Sequence, residues 1–97
     1  MSSVNKTELA GRLAARIGTS KARAEEMVDE TLAEIGNALT QGHSVTLHGF
    51  GRFRLARQEP RGGVVNGREY IAPAKTVVRF RSGKALAEAC AVLDLPH

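Results

Sequence analysis

The chain has 97 residues, enough for one modest domain but not for a second folded unit beside a catalytic one. Hydrophobic residues make up 42% and charged residues 25%, which excludes a disordered tail, and no apolar run approaches the ~18 residues of a membrane-spanning helix. Fourteen Lys and Arg against ten Asp and Glu give a net charge of +4; Cys90 is alone, which excludes an internal disulfide, and His43, His48 and His97 lack metal-ligand spacing.

The polar start, Met1 to Thr7, carries no apolar signal-peptide stretch, so a cytoplasmic location is expected. Leu9, Leu13 and Ile17 then recur every four residues, one apolar face of a helix that starts near Asn5 and stops at Gly18. Either Thr19 or Ser20 can cap a second helix. Its apolar positions are Ala24, Met27, Val28, Thr31, Leu32, Ile35 and Leu39, with acids largely between them, and Gly42 closes it. Residues 1–42 thus read as a helical hairpin whose apolar face is wider than its own chain can cover.

After Gly42 the period falls from about 3.6 to 2. Val45 and Leu47 alternate with polar neighbours, His48 to Gly51 reads as a turn, and Phe53 and Leu55 alternate with Arg52 and Arg54. A third strand from Thr76 to Arg81 sets Val78 and Phe80 on one face and Val77, Arg79 and Arg81 on the other. The sheet, residues 43–57 and 75–81, is therefore expected to bury its Phe side on the helices and to offer its Arg side to a partner. Between these strands, Asn66-Gly67 flanked by Val64-Val65 and Arg68-Glu69 signals a two-residue hairpin, pairing Val65 with Arg68 and Val64 with Glu69. Residues 58–74 read as a protruding two-stranded arm. A final helix over 82–95 is expected to start at a Ser82 cap, with Leu86, Ala89, Cys90 and Leu93 on one face, Cys90 in the core, and Pro96 ending the chain.

Charge is unevenly placed. From Arg52 to Lys84 nine basic residues face two acids, a net +7, and the remainder of the chain is −3. Such an Arg-rich segment is the footprint of a phosphate-bearing partner. No catalytic constellation is visible, and Ser82-Gly83-Lys84 lacks the upstream glycines of a phosphate-binding loop. No cofactor or metal is expected, and the chain is not read as an enzyme.

The order of elements, with Asn5-Lys6-Thr7-Glu8-Leu9, Gly49-Phe50-Gly51 before Phe53, Pro73-Ala74, and Phe80-Arg81-Ser82-Gly83-Lys84-Ala85-Leu86, resembles the bacterial HU and integration host factor family from about Val4 to Leu93. The resemblance implies an α+β fold in one domain. It implies an intertwined dimer with a helical body, and in each subunit a three-stranded antiparallel sheet and a protruding β-arm. Its function would be architectural: the arms enclose double-stranded DNA in the minor groove and bend or compact it, in the nucleoid and with low sequence specificity. A homodimer is expected and a heterodimer stays open. So do a site-preferring subunit of the integration-host-factor kind and a protein that coats or bridges DNA without sharply kinking it.

The resemblance makes Phe50, Phe53 and Phe80 a dimer core. Arg61 and Arg68 flank the arm tip as minor-groove residues. Arg52, Arg54, Arg79 and Arg81 line a saddle that meets phosphates, with Arg57 and Lys75 near the arm base. Lys84 matches a phosphate contact, and Lys6 and Lys21 match residues that touch flanking DNA. The family's arm-tip Arg-Asn-Pro is absent, and the arm is two residues shorter. Val64 or Val65 then stands either as an apolar wedge or as packing within the hairpin. Tyr70 reads the same two ways, with packing inside the arm favoured over stacking on a sugar.

Overall fold

The computed structural model describes residues 2–95. Among them, α1 (Lys6–Ile17) and α2 (Lys21–Thr40) precede β1 (Val45–Leu47), β2 (Gly51–Gln58), β3 (Arg61–Val65), β4 (Arg68–Ala72), β5 (Lys75–Ser82) and α3 (Lys84–Ala91). The chain divides into two compact units, Met1–Asn37 and Ala38–His97. The expected end at Pro96 lies outside the described residues.

In the first unit the helix boundaries follow from capping chemistry. The Asn5 carboxamide accepts from the Glu8 N–H at 2.8 Å and opens α1. Gly18 closes it in the left-handed conformation, φ 73°, donating to the Ala14 carbonyl. Of the two candidate caps for α2, Ser20 serves: its hydroxyl accepts from the Arg23 N–H at 3.1 Å. The core is Ala10 and Ala14 against Ala24 and Val28, with Leu13 packed beside them. On the apolar face read from the sequence, Leu9 and Ile17 stay 50% and 48% exposed, because the small side chains one position along bring the helices together. Met27 and Leu32 are exposed too. Lys6 Nζ joins Asp29 Oδ1 at 2.7 Å, tying α1 to α2.

In the second unit β1, β2 and β5 form one antiparallel sheet in that order, and β3 and β4 form another. Pairing runs Val45 to Phe53, Phe53 to Phe80, and Leu55 to Val78, so the apolar residues share one face. The Phe80 ring lies 4.8 Å from that of Phe53 and 5.7 Å from that of Phe50, both tilted. Gly51, which opens β2 rather than ending the turn, makes this possible: a Cβ there would fall 2.5 Å from the Phe80 ring. The Gly83 N–H donates to the Phe50 carbonyl at 2.7 Å and ties the start of α3 to the β1–β2 turn.

Several expectations need correction. Burial of the Phe side is only partial within the chain, with Phe50 48% and Phe80 45% exposed. Ser82 is the last residue of β5, and the cap of α3 is Gly83, with no side-chain cap bond. That helix spans Lys84–Ala91 rather than 82–95. Cys90 is exposed, not core: α3 buries none of its residues within the chain, so its apolar face lies open. Gln58 belongs to β2, paired with Lys75, so the arm begins after it.

Candidate nucleic-acid interface

Strand alternation sorts the basic residues. Arg52 pairs with Arg81, Arg54 with Arg79, Ala56 with Val77 and Gln58 with Lys75. These pairs share the face opposite the phenylalanines, so Arg52, Arg54, Arg79, Arg81 and Lys75 are gathered on one side of two neighbouring strands. No acid occurs in β1, β2 or β5. Like charges directly opposite one another destabilise a sheet. The exposed guanidiniums of two cross-strand pairs thus leave this strand face positively charged. Among the described residues Arg52 reaches the Ser44 hydroxyl, at 3.4 Å.

Arg57 is not part of this set. It pairs with Thr76 on the phenylalanine side, and its Nε binds Glu59 at 3.0 Å. Lys84 begins α3, with its ammonium 4.0 Å from Glu88. Together with Arg52, Arg81 and His48 it lines an open concavity of about 460 Å³. His48, to which the sequence reading gave no chemistry, is signalled by its place in the turn between β1 and β2. Lys6 and Lys21 are the first residues of α1 and α2 and belong to the other unit. The Lys6 ammonium is held above its ordinary value of 10.5, first by its hydrogen bond to Asp29 and then by that carboxylate's charge.

The arm has its own order. Asn66 and Gly67 take φ of 52° and 76°, the left-handed pair of a two-residue type I′ turn. The turn fixes the expected pairs, Val65 with Arg68 and Val64 with Glu69, and beyond them Gly63 with Tyr70 and Arg61 with Ala72. Arg61, Val65, Arg68 and Tyr70 thus fall on one face, and Val64, Glu69 and Ile71 on the other. Val64 and Val65, treated alike in the sequence, point to opposite sides. Tyr70 packs within the arm over Gly63, as favoured from the sequence. The Gln58 carboxamide lies beside the Arg61 guanidinium at the base of β3.

Residues 4–91 match the model of the bacterial DNA-binding protein family. The chain belongs to that family, the HU and integration host factor proteins. Its curated relatives include the integration host factor subunit alpha of Xanthomonas campestris pv. campestris, 41% identical over 87 residues, or 88% of each chain. The same subunit of Stenotrophomonas maltophilia is 40% identical over 87 residues, again 88% of each chain. Among solved structures, an HU protein of Anabaena cocrystallised with DNA superposes with a TM-score of 0.86 at 31% identity, covering 92% of this chain and 99% of that one. An HU variant from Thermotoga maritima gives 0.66 at 29% identity, covering 88% and 96%. The HU-type α+β fold inferred from the motifs is therefore correct.

Proposed function

We propose that this chain is an architectural double-stranded DNA-binding protein that works as a dimer. The carrying observation is the double Arg pair, Arg52 with Arg81 and Arg54 with Arg79, on a strand face without acids. Phosphates arriving at that face would replace repulsion by charge-assisted hydrogen bonds. Arg61 and Arg68 extend the basic surface along the arm, and Lys75 and Lys84 lie at its edges. Lys6 and Lys21 are assigned to flanking DNA. Arg57, on the other face, is assigned a lesser part at the arm base.

A second copy of the chain is the natural cover for the apolar surface left open. Leu9, Ile17, Met27, Leu32, Phe50 and Phe80 are all more than a third exposed, too much apolar surface for a stable monomer of this size. Phe50, Phe53 and Phe80 would then form the core between subunits. A heterodimer subunit is the second reading, favoured by curated relatives named integration host factor subunit alpha. No helix among the described residues is long and apolar enough to cross a membrane, in keeping with a place in the cytoplasm on the nucleoid. No group of three or more His, Cys, Asp or Glu that could hold a metal ion occurs among the described residues.

The test is titration of the purified protein into a short duplex labelled at both ends, at several salt concentrations. Binding should weaken steeply, with log K falling by about 0.9 per log unit of salt for each phosphate neutralised. Binding indifferent to salt would overturn the reading. A rise in end-to-end energy transfer marks bending; binding without that rise marks a protein that coats or bridges DNA. A chain that forms no homodimer by sedimentation would favour the heterodimer.

A further inference from the structure

The type I′ turn makes the arm a ribbon of two unlike faces. Arg61, Gly63 and Val65 of β3 stand opposite Ala72, Tyr70 and Arg68 of β4 on one face, which has both arginines and no acid. The other face has Glu69, with Val64 and Ile71 exposed to 68% and 80%. A surface that meets DNA presents its cations and turns its carboxylate away, so the arginine face is the one that approaches the groove.

Tyr70 lies at the middle of that face, one level from Arg61 and one from Arg68. A Cβ at Gly63 would stand 2.6 Å from the Tyr70 ring and 2.8 Å from its hydroxyl oxygen. The ring therefore leans across the ribbon and fills the space a side chain at position 63 would take. Its other side is open, and Tyr70 is 49% exposed. The two arginine levels are about 13 Å apart along the ribbon, so a planar, half-polar surface bridges them. Between the phosphates of a minor groove the matching surface is deoxyribose, with apolar C–H faces, and base-edge acceptors on its floor.

We infer that Tyr70 is a DNA-contacting residue of the arm, its ring packed on minor-groove deoxyribose, and that Gly63 is the residue that lets it lie there. The inference rests on the DNA-binding reading above. Val65 and the two arginines complete the contact face, and Ile71 stays out of it.

The chain has one Tyr and no Trp, so its intrinsic aromatic emission reports Tyr70 directly. Titrating the full chain with a mixed-sequence duplex, with anisotropy of a labelled duplex as the independent measure of binding, should quench that emission in step with complex formation. A rise in anisotropy with unchanged emission overturns the inference and leaves DNA binding intact. No rise in anisotropy overturns the DNA reading itself and this inference with it. Tyr70→Ala should weaken binding about fivefold with the salt slope unchanged, because it removes an aromatic surface and no charge. Tyr70→Phe should retain most of the affinity, and Ile71→Ala on the opposite face should change little. If Tyr70→Ala lowers the salt slope as well, the ring only holds the arginines in position, and the contact is refuted.

Discussion

Arg54 stands directly opposite Arg79 in an antiparallel pair, with no acid on their strand face to balance either charge. Such a pair weakens the sheet by roughly 0.2–1 kcal/mol. Arg54→Thr should therefore raise the melting temperature of the free protein at low salt, while lowering DNA affinity and reducing the salt slope by about one. Thermal denaturation beside a binding titration checks both halves. Lower stability on removing Arg54 would show that the pair is not under repulsion.

The arm arginines should separate binding from folding. Arg61 and Arg68 are exposed and belong to the two-stranded sheet, apart from the aromatic cluster. The double change to Ala should lower the salt slope by about two and leave the melting temperature nearly unchanged. Binding unaltered by the double change would mean that the arm does not engage DNA.

Val64 and Val65 offer a sharper comparison, since they point to opposite sides of the arm. Val65 shares its face with Arg61 and Arg68, so Val65→Ala should reduce end-to-end energy transfer in a doubly labelled duplex, and Val64→Ala should not. Equal transfer in both variants would make the valines hairpin packing rather than a wedge between base pairs.

Gly51 is a steric requirement of the sheet. A methyl group there would meet the Phe80 ring at 2.5 Å and the Arg81 carbonyl at 2.8 Å. The ring can shift, but a carbonyl within the β2–β5 ladder cannot do so cheaply. Gly51→Ala should cost about 1–3 kcal/mol, read from denaturant unfolding. A neutral result would mean that the aromatic cluster repacks freely.

The Lys6–Asp29 bridge predicts an alkaline loss of stability. Asp29 raises the Lys6 ammonium above its ordinary 10.5. The folded state thus holds the proton more tightly than the unfolded chain. The resulting stability is fully present below 10.5 and fades as pH rises through the folded value. Asp29→Asn should flatten that decline and lower stability near neutrality by the same amount, a small one because both groups are more than half exposed. A wild-type curve that stays parallel to the variant's from neutral pH through the alkaline range would remove the bridge from the account.

Much of this is legible in the sequence. Asn5, Gly18 and the Thr19–Ser20 pair mark helix ends by chemistry that acts within one turn, and the structure chooses Ser20. Asn66-Gly67 fixes the arm register because only a left-handed pair closes so tight a hairpin. What could not be read was which surface covers which. Leu9 and Cys90 lie on periodic apolar faces, but periodicity names a face and not its occupant, and both stay open in the single chain. Arg57 reads with Lys75 near the arm base by closeness in the chain, although counting by twos from Phe53 already assigns it to the aromatic side. Ser82 has the chemistry of a cap, yet β5 continues through it because Gly51 pairs with it. Tyr70 and Gly63 find each other only once the register is known.

Among the described residues the helical unit buries nothing larger than Val28: its interior is three alanines and one valine. So little buried hydrocarbon cannot offset the entropy of ordering 37 residues. If a second copy covers the rest, folding and assembly are a single event governed by mass action. Dilution then acts on this protein as a denaturant does. The cell's supply of the chain sets the folded fraction, and DNA that holds the dimer together becomes part of what keeps each subunit folded.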